Sequence, residues 1–148
     1  MAKAVIAEDE ALLRQALLDL LADAWPELDV VAACEDGAEA LEAIAAHTPD
    51  VAFLDIRMPG LSGLDVAAAA AEASPHTRIV FVTAYDQYAV DAFERGAIDY
   101  LLKPIAPERL AATVRRLQAR STDAGAEAGA LATLVRQLGA GLPRAAPA

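Results

Sequence analysis

The sequence predicts an α/β fold, in which one parallel sheet is covered by helices on both faces in a doubly wound (βα)5 arrangement. Over the first 120 residues, short apolar runs alternate five times with helix-length amphipathic segments. Each βα unit is only about 20–25 residues long, which favours right-handed crossovers between parallel strands. The chain of 148 residues is 56% hydrophobic, enough to form one compact domain with a core of its own.

The five apolar runs are predicted as strands because each is rich in Val, Ile, Leu or aromatic residues and too short for a buried helix. They span residues 4–7, 29–33, 51–54, 79–82 and 100–102.

Between the strands, apolar residues recur at the spacing of one helix face. Asp36 and Glu39 form an acidic version of a capping box at the second helix, and Pro49 marks the end of that helix. The apolar positions are Leu12, Leu13, Ala16, Leu17, Leu20 and Leu21 in the first helix, Ala38, Leu41, Ile44 and Ala45 in the second, and Leu110, Val114 and Leu117 after the fifth strand.

Residues 121–148 differ in composition from the rest. Residues 121–130 are rich in Ala, Gly, Ser and acids without an apolar period, which is typical of a linker. A short helix over 130–139 is then predicted from its apolar stripe, Leu131, Leu134, Val135 and Leu138. Since so short a helix is marginal alone, it must dock on the domain, pair with a second copy, or fray.

The composition excludes several classes of function. A net charge of −10 opposes sequence-independent binding to nucleic acid or anionic lipid. The lone Cys34 forbids an internal disulfide, and there is neither a signal peptide nor an apolar run of about 18 residues. We therefore expect a cytoplasmic protein that does not enter a membrane.

Carboxylates follow two of the predicted strands. Glu8 and Asp9 come directly after the first strand, and Asp55 comes directly after the third. In an open parallel sheet the carboxyl ends of the strands share one edge, where ligands bind near the point at which strand order reverses. Carboxylates that converge repel one another unless a cation lies among them. An oxygen-only ligand set completed by water favours Mg²⁺ or Mn²⁺ over zinc.

Thr83 follows the fourth strand and Lys103 the fifth, so both approach the same edge. With a metal ion and Lys103 to neutralise local charge, an anionic phosphoryl group can be held beside one carboxylate, because phosphoryl transfer needs mainly positioning and charge stabilisation. Asp55 is then a candidate nucleophile that forms an aspartyl phosphate.

This constellation resembles the receiver domain of bacterial two-component response regulators. The resemblance rests on Glu8-Asp9, on Asp55 within DVAFLDIRMPGLSGLD, on Thr83-Ala84 and on Lys103-Pro104, and it spans about residues 3–120. It implies that residues 1–120 form a receiver domain with the flavodoxin-like strand order 2-1-3-4-5, followed by the linker of 121–148.

The resemblance also implies roles for the site residues. Asp55 accepts a phosphoryl group from a phosphohistidine of a sensor histidine kinase. Asp9 ligates Mg²⁺ directly, Glu8 directly or through water, and the main-chain carbonyl of Arg57 completes the protein ligands. Lys103 pairs with a phosphoryl oxygen.

The same resemblance implies a switch. The Thr83 hydroxyl moves onto the phosphoryl group, and Tyr100 turns inward as Thr83 moves. The peptide bond between Lys103 and Pro104 is expected to be cis, which aims Lys103 into the site.

The segment TAYDQYAVDAFERGAIDYLLKP, residues 83–104, is similar to receivers coupled to LytTR-type DNA-binding domains. The residues after Arg120 are too few for such a domain, and no basic stripe is present to hold DNA. Two readings stay open. The chain is the front half of a transcription regulator that ends in its linker, or it is a stand-alone receiver that acts through protein–protein contacts.

The family implies active dimers that pair through the fourth helix, the fifth strand and the fifth helix. The arginines after the fifth strand are interpreted mainly as a solvated face that could also pair with acids of a second copy. These arginines are Arg109, Arg115, Arg116 and Arg120, and the acids are Asp86, Asp91, Glu94 and Asp99.

Two other classes of function were weighed. A Mg²⁺-dependent aspartyl-phosphate hydrolase of the haloacid dehalogenase type needs a second Asp two residues after the nucleophile, where this chain has Arg57. A flavodoxin-like redox module needs a phosphate loop after the first strand, where Glu8 and Asp9 would repel the phosphate. The chain is therefore predicted to be a phosphoacceptor and not an enzyme, beyond slow self-phosphorylation from small donors and self-dephosphorylation.

Overall fold

The computed structural model describes residues 2–84 and 97–119, and these form an α/β fold with a five-stranded parallel sheet. The strand order is β2-β1-β3-β4-β5, which confirms the predicted fold class. The strands are β1 (Lys3–Ala7), β2 (Asp29–Cys34), β3 (Val51–Leu54), β4 (Arg78–Thr83) and β5 (Asp99–Leu102).

Four helices lie in the described residues: α1 (Ala11–Ala24), α2 (Gly37–His47), α3 (Gly63–Ala73) and a helix after β5, Pro107–Gln118, called here helix 107–118. None of them has the length and apolar character needed to cross a membrane. The predicted fourth helix, the linker of 121–148 and the short helix of 130–139 lie outside the described residues.

The sheet separates two apolar layers, because successive strand side chains point to opposite faces. α1 and helix 107–118 cover one face, and α2 and α3 cover the other. The first layer includes Ile6, Phe53, Leu101, Leu110 and Leu117, and the second includes Ile44, Leu54, Ile56, Phe81 and Tyr100.

Side-chain caps fix where α2 and α3 begin. The Asp36 carboxylate accepts a hydrogen bond from the Glu39 amide at 2.8 Å, as expected, but Glu39 accepts from the amide of Glu35, one residue before the cap. At α3, Ser62 and Asp65 form a full reciprocal capping box that the sequence analysis did not identify. Both helices therefore start at defined points beside the carboxyl edge of the sheet.

A buried carboxylate ties the start of β5 to helix 107–118. Asp99 is fully buried and accepts hydrogen bonds from Arg109, from Arg116 and from the Thr113 hydroxyl at 2.6 Å. Burial raises the pKa of Asp99, but the hydrogen bonds from Arg109 and Thr113 outweigh it and hold that pKa below its ordinary value.

This cluster corrects one interpretation. The sequence favours a solvated face or acids of a second copy as the surroundings of Arg109 and Arg116, yet both bind Asp99 of their own chain. The physical reason is geometric, since Arg109, Thr113 and Arg116 share one helix face that packs along β5. The other acids of the proposed dimer contact lie at residues 86–94, outside the described part.

We predict that Asp99→Asn lowers the free energy of unfolding by about 2–3 kcal/mol, measured by urea denaturation at pH 7. The loss falls below the usual range for a broken buried pair because Arg109 is 38% exposed. Asp23→Asn, on the exposed side of α1, is the matched control and should change little.

The same pair of proteins tests the titration of Asp99. A carboxyl whose pKa is lowered in the folded state stabilises the fold above its ordinary value of 3.8 and loses this effect as pH falls through the folded pKa. The difference between the wild type and Asp99→Asn should shrink below pH 3.8. A difference that grew on acidification would contradict this assignment.

Candidate functional site

Glu8 and Asp55 lie side by side because β1 pairs directly with β3. Ala7 is in register with Leu54, and the Asp55 amide donates to the Ala7 carbonyl at 2.9 Å. β1 lies between β2 and β3, so strand order reverses here and a crevice opens at the carboxyl edge. The sheet itself therefore brings together the two carboxylates.

Lys103, which follows the edge strand β5, forms ion pairs with both of these carboxylates. Its Nζ donates to Asp55 Oδ2 at 3.0 Å and also to Glu8 Oε1. Its backbone amide donates to the Thr83 carbonyl at 2.9 Å, which extends the ladder between β4 and β5. The peptide bond between Lys103 and Pro104 is cis.

The loop after Asp55 is packed tightly against α3. The Arg57 amide donates to Asp55 Oδ1 at 3.3 Å, and the Gly63 amide donates to the Ile56 carbonyl at 2.9 Å. A Cβ at Gly63 would lie 2.2 Å from the Asp55 carbonyl oxygen, so only glycine allows this approach. Gly60 has a φ of +76°, the left-handed conformation that the turn requires.

The site is largely shielded from water. Glu8 is 3% and Asp55 6% exposed, whereas Asp9 is exposed at the rim. Burial raises the pKa of Glu8 even though Lys103 opposes this shift. Burial also acts to lower the pKa of Lys103, but its hydrogen bonds to Glu8 and Asp55 outweigh it, so the pKa of Lys103 is raised and the ammonium is retained.

Glu8, Asp9 and Asp55 can together hold a divalent cation. Each offers one carboxylate oxygen, and these oxygens lie within 4.8 Å of one another. Two oxygens on opposite sides of Mg²⁺ lie about 4.2 Å apart, so small side-chain movements would suffice. An all-oxygen donor set open to water at Asp9 fits Mg²⁺ or Mn²⁺.

Thr83 lies on β4, the neighbour of β3 in the sheet, and Tyr100 lies on β5, one strand further from Asp55. Thr83, the last residue of β4, is fully buried. Tyr100 is also buried, with its ring 6.4 Å from that of Phe81. Tyr100 therefore already lies inward, packed in the layer that α2 and α3 cover.

One contact of the site was missed by the sequence analysis. Arg14 donates from Nη1 to the Glu8 carbonyl at 2.7 Å and so fixes the loop that carries Glu8 and Asp9. The only signal for it in the sequence is a basic residue near the start of a helix that follows three acids.

An apolar cleft of about 200 Å³ opens next to Lys103, between α1 and the loop after β5. It is lined by Glu8, Leu13, Ala16, Leu17, Leu20, Val82, Lys103, Pro104 and Ile105.

Known proteins with the same sequence pattern are numerous. A family model described as "Response regulator receiver domain" matches residues 4–115. An uncharacterized response regulatory protein of Vibrio cholerae is 50% identical over 134 residues, which cover 90% of this chain and 51% of that protein. The transcriptional regulatory protein BtsR of Salmonella typhi is 44% identical over 119 residues, 80% of this chain and 48% of that protein. The chain thus spans about half the length of these relatives.

Solved structures show the same fold. The receiver domain of AraT, a response regulator from Geobacillus stearothermophilus, has a TM-score of 0.74 and 38% identity, covering 80% of this chain and 94% of that one. The response regulatory domain of mrkE from Klebsiella pneumoniae has a TM-score of 0.74 and 34% identity, covering 79% of this chain and 95% of that one.

We predict that Lys103→Met lowers the free energy of unfolding by about 3 kcal/mol at pH 8 in the absence of divalent metal, because Glu8 and Asp55 are left buried without their cation. Loss of the ammonium raises the pKa of Glu8 further. A raised acid pKa favours the folded state at low pH, so the loss should be smaller at pH 5.

Urea denaturation at both pH values measures this effect. Lys3→Met, at the exposed start of β1, removes the same charge away from the site and is the control. An equal loss for Lys103→Met at pH 5 and pH 8 would contradict the pairing with ionised carboxylates.

Proposed function

This chain belongs to the response regulator receiver domains of two-component systems, and on that premise we propose that Asp55 is its phosphoacceptor for a sensor histidine kinase. The observation that carries the proposal is the contact of one half-buried ammonium, that of Lys103, with both Asp55 and Glu8. A phosphoryl group added to Asp55 would meet a cation already positioned to neutralise it.

The proposed reaction moves a phosphoryl group from nitrogen to oxygen. A carboxylate oxygen of Asp55 forms a bond to phosphorus as the bond from phosphorus to the kinase imidazole breaks. The imidazole nitrogen keeps the electron pair of the broken bond, and the ring, protonated on its other nitrogen, leaves as a neutral histidine side chain. The product on this chain is an acyl phosphate at Asp55. Lys103 Nζ, 3.0 Å from Asp55 Oδ2, is within reach of the oxygens of that group.

Asp9, Asp55 and Glu8 are the proposed side-chain ligands of Mg²⁺. The bound ion would supply positive charge for the oxygens of the transferred group. Glu8 already accepts hydrogen bonds on both oxygens, from Lys103 and from the Glu10 amide at 3.2 Å, which favours contact through water. The Arg57 carbonyl stays a predicted ligand of the ion. Arg57 is held next to Asp55 by the hydrogen bond from its amide to Asp55 Oδ1.

We further propose that Thr83 and Tyr100 form the switch. Thr83 is linked to Lys103 through the backbone, so movement at the phosphorylated site is transmitted to the end of β4. The buried Tyr100 ring packs against Phe81 of β4, so a shift of that strand would move the ring.

The kinase must bring its phosphohistidine to within about 3–3.5 Å of Asp55, so its contact surface must surround the site. Next to the apolar cleft beside Lys103, Leu12 is 87% and Leu13 38% exposed. This α1 surface is the proposed docking region for the kinase, because its apolar side chains border the rim of the site.

Control of transcription through a further domain is the proposed output. The matched relatives are about twice as long, and one of them is named as a transcriptional regulatory protein. The similarity of residues 83–104 to LytTR-coupled receivers supports that type of DNA-binding domain. Action through protein–protein contacts alone is the alternative, and dimerisation and a cytoplasmic location stay predictions.

We predict that the wild type gains one phosphoryl group from a small phosphodonor in the presence of Mg²⁺, whereas Asp55→Asn does not. Intact-mass spectrometry measures the gain. Asp50→Asn, at the opposite end of β3, is the matched control and should be phosphorylated like the wild type. Equal modification of the Asp55→Asn variant would overturn the assignment of the phosphoacceptor.

We predict that Mg²⁺ raises the free energy of unfolding of the wild type by about 2.7 kcal/mol at one hundred times its Kd. Asp9→Asn should lose most of this gain because it removes the exposed carboxylate of the cluster. Glu10→Gln removes an adjacent charge outside the cluster and should keep the gain. Thermal unfolding across a Mg²⁺ titration compares the three proteins, and an unchanged response of Asp9→Asn would contradict its role.

A further inference from the structure

A second cleft lies at the amino edge of the sheet, opposite Asp55. It has a volume of about 240 Å³, and its walls include Ala2 before β1, Trp25 at the end of α1 and Val51 at the start of β3. Leu117 closes it from the last turn of helix 107–118. No feature of the proposed phosphoryl site uses this cleft.

The size of the cleft suits inserted side chains. Removal of one leucine side chain from a core leaves a cavity on the order of 150 Å³, so this cleft matches one or two leucines and is small for a cofactor. Its lining is mixed: Ala2, Trp25, Val51 and Leu117 are apolar, whereas Asp50, Arg78 and Gln118 are polar. The Arg78 guanidinium donates to the Leu117 carbonyl at 2.9 Å and anchors that wall.

The described part of the chain ends close to the rim of this cleft. Leu117 and Gln118 line it, and the helix ends at Ala119. About ten residues, 121–130, separate this end from the apolar stripe of Leu131, Leu134, Val135 and Leu138. A Gly- and Ser-rich linker of about ten residues has an average span of roughly 16–19 Å, which would keep the stripe near the cleft.

The stripe needs an apolar surface to be stable as a helix. The aligned region of the Vibrio cholerae relative covers 90% of this chain and therefore continues past Ala119 into this segment. The alignment thus reaches at least the first part of the stripe, beyond the residues 4–115 that the receiver family model matches.

We propose that residues 131–138 dock on the cleft of their own chain, with leucine side chains of the stripe inserted beside Trp25. The segment after helix 107–118 is then anchored at the amino edge of the sheet, at the far end from Asp55. Anything that follows this segment in a longer protein would start from that edge.

Trp25 offers a direct test because it is the only tryptophan in the chain. Its indole N–H gives one signal in a nitrogen–proton correlation spectrum of the ¹⁵N-labelled 148-residue chain. Leu134→Asp should shift that signal and increase acrylamide quenching of Trp25 fluorescence. Thr133→Asp adds the same charge on the opposite side of the stripe and should leave both readings near those of the wild type.

Three outcomes would overturn the proposal. Either Leu134→Asp leaves the Trp25 signal unchanged, or Thr133→Asp shifts it as much. A wild-type signal that changes with protein concentration would also overturn it, since a second copy would then fill the cleft. These readings need no phosphorylation, so they are independent of the function proposed for Asp55.

Discussion

The ammonium of Lys103 between two buried carboxylates is the interaction on which the site depends. Glu8 and Asp55 are forced together by the pairing of β1 with β3, and without a cation their mutual repulsion and their burial would oppose folding. The fold therefore builds a site that requires positive charge. A site of that kind also attracts a divalent ion, and that ion together with Lys103 would neutralise enough charge for an anionic phosphoryl group to be held at Asp55, which is the chemistry proposed here.

β5 carries a second charge contact at its other end. Lys103 directly follows β5 at the carboxyl edge of the sheet. Asp99 is the first residue of β5 and accepts hydrogen bonds from the arginines of helix 107–118. Tyr100 lies between them and donates its amide to the Asp99 carboxylate at 2.8 Å. The strand that bears the proposed switch aromatic is thus fixed at both ends by ionic hydrogen bonds. Movement at the phosphoryl site would therefore act on β5, a strand whose two ends are both held in place.

Local patterns predicted the elements and the edge at which the site forms, because strand and helix periods are written in adjacent residues. They predicted less well the contacts made by long side chains. The sequence favoured solvent or a second copy as the surroundings of Arg109 and Arg116, and it gave no clear indication of the Arg14 contact. The reason is that an arginine can reach several partners from one helix position. The requirement for glycine at position 63 could not be predicted either, because it arises from the close approach of α3 to the Asp55 backbone.

The sequence by itself determined the α/β class, the alternation of elements and the acidic and basic residues that follow the strands, because these depend on hydrophobic period and on the shared carboxyl edge of parallel strands. Only the tertiary structure decided which charges meet. Lys103 binds Glu8 and Asp55, and Asp99 on β5 binds the arginines of helix 107–118. Sequence patterns do not reveal these pairs, because the paired residues lie far apart in sequence. Their distances depend on strand register and helix packing, which no local pattern encodes.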